Sequence, residues 1–297
     1  MIDVYPGEDV PAGAALHVAA HLAAQGWKAY LVTSVGDDHD GARLEALFEQ
    51  YAIATDLVER HHELPTGRST IHTVGFENDF TVHGPAAWDA IEGPDALPRH
   101  DALCDGTLAA RRKTSRATME RLLSTSGAPW KVLDVNLRPP DISREVLEMT
   151  LSAATALKVS EAELAEVTAV VGVDARPKSI FAVAPDLRWL CVTRGGRGAT
   201  LFDRSGRRWN GEAIPTDVVN TVGAGDAFTA GLIEGFVTDS APMEVLRLAQ
   251  TRASSILAKK GGLPDPKGDV GRVSSSTAEG KVNTSNQEED VTWNTGV

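Results

Sequence analysis

The chain has 297 residues, of which 42% are hydrophobic and 24% charged, and a formal net charge of −12. That length and balance describe a globular protein with a sizeable core. The acidic surplus argues against nucleic acid or an anionic membrane as a partner, since both attract basic surfaces, but a local nest of N–H groups still holds a phosphate within an acidic protein.

Residues 1–13 are short and turn-rich, with Pro6-Gly7-Glu8-Asp9 and Pro11-Ala12-Gly13. Asp3 and Glu8-Asp9 interrupt any secretory leader there, and no apolar run elsewhere is long enough to span a membrane. The expectation is a cytoplasmic protein. Cys104 and Cys191 both lie in apolar runs and read as buried thiols of a reducing compartment, with neither a disulfide nor a zinc site between them.

A helix is predicted over 14–25, rich in alanine and stopped by Gly26. His17 and His21 are one turn apart on it. The Glu of a zinc-protease HExxH is missing, with Val18 in its place, so packing or pocket-lining histidines are favoured over a zinc pair. An apolar β-rich run over 29–35 ends at Gly36-Asp37-Asp38, and a helix over about 40–51 follows. Residues 66–83 flank Gly75–Asp79 as a β-hairpin without a helix, either a flap over a pocket or a plain edge hairpin.

From residue 101 the pattern becomes regular. Strands are expected at 101–105, 131–137, 156–160, 188–193 and 198–203. Helices are expected near 116–126, 143–153, 161–167, 173–183, 224–236 and 242–259. Strands separated largely by helices predict an α/β fold with a mostly parallel, doubly wound sheet, whose ligands bind beyond the carboxyl ends of the strands. Residues 265–297 carry little that could form a core and read as a disordered tail; Asn283-Thr284-Ser285 within it matches a glycosylation acceptor without meaning in a cytoplasmic protein. There are no internal repeats.

Four polar clusters fall at predicted strand ends: Asp134-Val135-Asn136-Leu137-Arg138-Pro139-Pro140, Lys158-Val159-Ser160-Glu161-Ala162-Glu163, Thr193-Arg194-Gly195-Gly196-Arg197-Gly198 and Asn220-Thr221-Val222-Gly223-Ala224-Gly225-Asp226-Ala227-Phe228. The last runs from small residues into an amphipathic helix. Such a start leaves N–H groups unblocked, and the helix dipole adds positive charge there, so it suits a phosphate or a developing anion. Asp226 is placed to cap that helix or to act as a general base. Gly195, Gly198, Gly223 and Gly225 permit close approach to phosphates. Lys158, Arg138 and Arg194 are candidates to neutralise phosphate charge, and Glu163 to hold Mg²⁺ through water. Neither a GxxxxGK[ST] P-loop nor a clean GxGxxG after an early strand is present.

Taken together, these residues resemble the ribokinase-like (PfkB) sugar kinases, and most the bacterial fructokinase branch. Gly223-Ala224-Gly225-Asp226-Ala227-Phe228 resembles that family's C-terminal signature. Ala12-Gly13-Ala14 leading to His17, with Val35-Gly36-Asp37-Asp38, resembles its N-terminal one. Pro65-Thr66-Gly67, His83-Gly84-Pro85-Ala86-Ala87-Trp88, Gly106-Thr107-Leu108, Asp134–Pro139 and Val192-Thr193-Arg194-Gly195 fall in the family's order, so the match covers about 1–264.

The resemblance implies a single ribokinase-like kinase domain over 1–264 with a small β lid, contributed by the hairpin at 66–83. Its activity would be transfer of the ATP γ-phosphate to a primary sugar hydroxyl. Asp226 would be the base, with the N–H groups of Gly223, Ala224 and Gly225 forming the anion hole with its own. Asp3, Gly13, His17 and Thr107 would meet the sugar. Lys158, Glu163, Thr193, Gly195 and Gly198 would serve the nucleotide, Mg²⁺ would accompany ATP, and a homodimer would form through the lid. Alternatives are a kinase for another sugar acid or nucleoside, or a degenerate sugar- or nucleotide-binding protein.

Several positions depart from the family pattern. Ala12 stands for the first Gly of a pair, His17 for an Asn that bonds sugar hydroxyls, and Ser160 for the Asn of Asn-x-x-Glu. Asn220 stands for an Asp that helps hold a monovalent cation, so any K⁺ site there is weakened by the missing charge. With the sequence starting at Met1-Ile2-Asp3, most of the family's interior first strand is expected to be missing, which would expose an apolar groove.

Overall fold

The computed structural model describes residues 1–74, 77–138, 143–259 and 261–266. Gly75-Phe76, Pro139-Pro140 and nearly all of the expected tail, Asn283 included, lie outside the described residues.

The central sheet has six strands in the order β12-β11-β10-β9-β8-β7. Its parallel part is β7 (Ala102–Asp105), β8 (Trp130–Asp134), β9 (Ala156–Ser160) and β10 (Trp189–Thr193). β11 (Ala199–Asp203) and β12 (Arg208–Gly211) extend it antiparallel. The interior strands are apolar on both faces, as sheets covered by helices require. On one face Leu133, Leu157 and Leu190 pack on α4 (Arg144–Ala153), α5 (Glu161–Val171) and α6 (Pro177–Val183). On the other, Val132, Cys191 and Leu201 pack on α1 (Ala14–Ala23), α7 (Ala224–Val237) and α8 (Pro242–Leu257). Trp130 stacks on Phe236 there at 4.9 Å between centroids. The expected doubly wound α/β architecture is therefore present. Cys191 is buried and Cys104 half-buried, and both are free thiols.

Residues 1–13 are not merely turns. They form the hairpin β1 (Ile2–Tyr5) and β2 (Glu8–Pro11), which joins β5 (Arg68–Val74) and β6 (Glu77–Val82) in a second sheet ordered β2-β1-β5-β6. The 66–83 hairpin is thus half of a four-stranded lid. Four-residue strands are too short for alternation to show in sequence, and β1 is held by β5, which lies more than sixty residues away in the chain. β4 (Val58–His61) and β12 escaped the sequence reading for a related reason: both are polar edge strands.

β3 (Thr33–Gly36) pairs only with β4 among the described residues, in a separate two-stranded sheet. It starts four residues later than the apolar run predicts. Between this sheet and the free edge of β7 lies a cavity of about 180 Å³, reached by Ala12, Gly13, Leu31, Ser34, Thr107 and Asn136 among others. Two sealed polar atoms near it, Ser34 Oγ and Asp105 Oδ2, have no partner, and burial pushes the Asp105 carboxyl up to about 7. Ile2–Tyr5 lies in the lid and not beside β7.

Asp38 ties the lid to the body. It caps α2 (His39–Gln50) by accepting from Gly41 N at 2.8 Å, and it also accepts from Thr66 N and Thr66 Oγ1 at 2.8 and 2.7 Å.

α7 and α8 cross where Gly231 faces Ala249. A Cβ at 231 would sit 2.5 Å from Ala249 Cα and 2.7 Å from its N, which are backbone atoms that cannot swing aside. Alanine would gain about 1 kcal/mol of helix propensity, but overpacking costs about 1–3 kcal/mol. Gly231→Ala is therefore expected to lower stability, read as an earlier denaturant midpoint. A later midpoint would mean the two helices separate at little cost.

Candidate active site

The start of α7 organises the site. Gly223 precedes it with φ 80°, in the left-handed region, and its hydrogen side packs on Gly262, whose Cα would lie 2.4 Å from any Cβ there. No other residue meets both demands. The amides of Gly225 and Asp226 find no acceptor among the described residues, as expected of a first helical turn. Together with the dipole they make an anion cradle.

Beneath that turn is a buried charge pair. Lys158, at the end of β9, donates to Asp134 Oδ1 and Oδ2 at 2.9 and 3.1 Å, and Thr229 Oγ1 of α7 donates to Asp134 Oδ2 at 2.6 Å. Burial opposes the Lys158 charge, but Asp134 outweighs it and holds the ammonium well above its ordinary range. The ammonium lies 3.2 Å from where a Cβ on Gly225 would be. Two of its three N–H donors face Asp134, and its charge acts on the helix start through space.

Glu163 is held in place by backbone donors. Its two oxygens accept from Leu137 N at 3.0 Å and Ser160 N at 2.8 Å, while Ser160 Oγ accepts from Glu163 N at 3.2 Å. This capping box starts α5 and pins the chain leaving β8. Both oxygens are engaged by backbone donors, and the described residues contain no cluster of three or more His, Cys, Asp or Glu able to cage a metal. The donor set does not form a direct Mg²⁺ site.

Asp226 projects from the first turn, its side chain 14% exposed. Its Oδ2 is 2.7 Å from His17 Nδ1 of α1. Burial works against the carboxylate, but His17 first, then Lys158 and Arg138, outweigh it and hold it below the ordinary carboxylate range. His21, one turn further, contacts Gly262 O through Nε2 at 3.3 Å, and burial pushes it down to about 4. The histidines thus hold α7 and the Gly262 loop and are not a metal pair.

Asp3, Tyr5, Glu8, His17, Asn220 and Gly262 are among the residues around a cavity of about 350 Å³ beside the cradle. Asp3 is 4% exposed, and burial raises its carboxyl above the usual range. Asn220 Oδ1 accepts from Val222 N at 2.9 Å, closing the turn ahead of Gly223. Arg138 stacks over Phe80 of the lid at 4.6 Å. Gly13 and Thr107 face the other cavity, between β7 and β3, and Ala12 touches both. At the neighbouring strand end Thr193 leads into a loop in which Gly195 and Gly198 have φ 54° and 82°. The Gly195 face is open.

The sequence reading missed Gly262, although the Gly261-Gly262 pair directly after a helix was a visible signal. It also missed Tyr5 and Glu8, which no local motif marks, and the Asp134–Lys158–Thr229 link, which spans 95 positions.

Residues 7–267 match the pfkB family carbohydrate kinase. The chain belongs to that family. It is 30% identical to a fructokinase of Klebsiella pneumoniae over 85% of this chain and 87% of the relative, and 25% identical to a cytidine kinase of Thermococcus kodakarensis over 85% and 89%. The fold is that of a Vibrio cholerae fructokinase solved with fructose, ADP and calcium, with TM-score 0.77, 18% identity and coverage of 90% and 93%. This pfkB kinase is a phosphotransferase that uses ATP and acts on a sugar hydroxyl. No helix among its described residues is long and apolar enough to cross a membrane.

Breaking the buried pair on one side leaves an uncompensated charge. Lys158→Met is expected to cost about 3–5 kcal/mol in chemical denaturation, and adding Asp134→Asn should recover part of that loss. Equal stability of the single and double variants would show that Asp134 finds another partner.

Proposed function

We propose that this kinase transfers the γ-phosphate of ATP to a primary hydroxyl of an uncharged sugar of the fructose type. The observation that carries the reading is a carboxylate, Asp226, set between an anion cradle at the start of α7 and an acid-lined cavity. The amides of the cradle favour a transferring phosphoryl group, and phosphoryl transfer needs chiefly such positioning and charge stabilisation. Asp226 supplies the basicity that activates the hydroxyl. Thr193, Gly195 and Gly198 receive the nucleotide, and the Lys158 charge below the cradle adds to its pull on phosphate. Mg²⁺ would accompany the triphosphate, and Glu163, whose oxygens accept from Leu137 N and Ser160 N, would reach it through water. Any K⁺ near Asn220 would meet a neutral amide.

Asp3 and Glu8 stand in the cavity wall, and no lysine or arginine is among the described residues around it. That charge balance favours a neutral acceptor over a sugar acid. A nucleoside acceptor is the second reading, motivated by the cytidine kinase relative.

ADP release measured across neutral sugars, sugar acids and nucleosides tests the proposal. Fructose-type sugars should give the highest kcat/KM, and a preference for sugar acids or nucleosides would displace the reading. Asp226→Asn should lower kcat by about 10²–10⁴ with the fold intact. Turnover unchanged in that variant would remove Asp226 from the chemistry.

A further inference from the structure

The β1–β2 hairpin sorts its side chains by the pleat. Successive residues of a strand point to opposite faces, and residues directly opposite in an antiparallel pair share a face. Asp3 is opposite Val10 and Tyr5 is opposite Glu8, so these four belong to one face, and all four stand around the cavity of about 350 Å³. The alternate residues are engaged elsewhere. Ile2 is fully buried in the core cluster of Leu16 and Leu44, and Asp9 Oδ2 accepts from Arg68 Nη2 at 2.8 Å. Pro6-Gly7 closes the hairpin with Gly7 at φ 85°, the left-handed conformation that a glycine after proline supplies in a tight turn. Tyr5 and Glu8 are thereby fixed as a pair at the tip.

The two ends of this face meet different groups. Asp3 is acted on by His17, the partner of Asp226, and so lies at the reacting end. Only Asp3 and Glu8 act on Tyr5, which stands about 7 Å further along the strand. That offset is comparable to the length of a hexose. Tyr5 is half-buried, and its hydroxyl bonds no other described residue. Burial first, then Asp3 and Glu8, push the phenol above its ordinary range, so it stays a protonated donor at neutral pH. The carboxylates beside it only accept. A sugar hydroxyl both accepts and donates, which matches a phenol and a carboxylate set side by side. The Tyr5 ring adds an apolar surface for the C–H side of a polyol.

We propose that Tyr5 determines acceptor specificity: its hydroxyl donates to the sugar hydroxyl remote from the transferred one, while Glu8 accepts from that same hydroxyl. The inference rests on the function proposed above and narrows its acceptor to a sugar long enough to span from Asp3 to the hairpin tip. Shorter sugars leave the phenol and the carboxylate without that partner. Tyr5 takes no part in the phosphoryl transfer itself, so its contribution belongs to binding.

The experiment uses Tyr5→Phe, which removes one oxygen and keeps the ring, with thermal melting as the check on folding. Steady-state kcat and KM are measured with fructose, and two terminally deoxygenated fructoses are compared by their inhibition constants against it. Tyr5→Phe should lower kcat/KM for fructose by about tenfold, through KM and with kcat retained. The analogue lacking the transferred hydroxyl should bind about tenfold more weakly to Tyr5→Phe, whereas the analogue lacking the remote hydroxyl should change by less than about twofold. If both analogues weaken alike, if neither does, or if the loss falls on kcat with KM unchanged, the proposal is overturned. Should Tyr5→Phe melt early, Glu8→Gln repeats the comparison from the exposed member of the pair. Wild type without turnover on any neutral sugar would sink the proposed function and this inference with it; fructose turnover with both analogues weakened alike would sink the inference alone.

Discussion

A positive charge buried beneath a helix start is the constraint on which this structure depends. Lys158 comes from β9, Asp134 from β8 and Thr229 from α7, so one set of hydrogen bonds fixes the register of two strands and the depth of the helix above them. Each partner would be costly alone, since a charge removed from water must find compensation nearby. The pair resolves this beneath the unbonded amides of Gly225 and Asp226, where its residual field adds to the helix dipole. Stability and the capacity to attract phosphate thus share the same atoms.

The two sides of the site differ in charge. Toward the Thr193–Gly198 loop, where the Gly195 face is open, Lys158 and the helix dipole present positive potential. Toward the lid, Asp3 and Glu8 present negative potential around the cavity. Asp226 and His17 sit at the boundary. Under the proposed function, a transferring phosphoryl group is attracted from one side only, while a neutral polyol meets hydrogen-bonding groups on the other. Such a division separates the two substrates even though the chain as a whole carries a net charge of −12.

The lid takes part in this boundary. Phe80 meets Arg138, which follows β8, and Asp38 anchors Thr66 at the foot of β5. β1 places Asp3 and Tyr5 in the same sheet that carries Phe80. Asp3, Tyr5 and Glu8 of the acid-lined cavity are therefore mounted on the lid sheet, while Asp134 and Lys158 are mounted on the central sheet. The cavity between β7 and β3 separates Gly13 and Thr107 from the acid-lined cavity, with Ala12 as the shared wall.

The sequence by itself determined the layered α/β body, because 3.6-residue and apolar-run periodicities are local properties, and strands and helices from residue 101 onward stand close to where those patterns put them. It also determined the small-residue start of α7 with Asp226, since a glycine-bounded turn entering an amphipathic helix leaves a readable trace. Ser160 as a cap is legible for the same reason. Tertiary structure alone decided the rest. That Ile2–Val4 pairs with Arg68–Thr70 to build a lid depends on contacts between distant segments. That Lys158 and Glu163 are engaged by Asp134 and by backbone amides depends on what packs beside them, which no local pattern encodes. Most of all, the pairing of His17 with Asp226 joins positions 209 apart. The sequence shows only a histidine on an alanine-rich helix; the packing of α1 against α7 turns it toward the carboxylate.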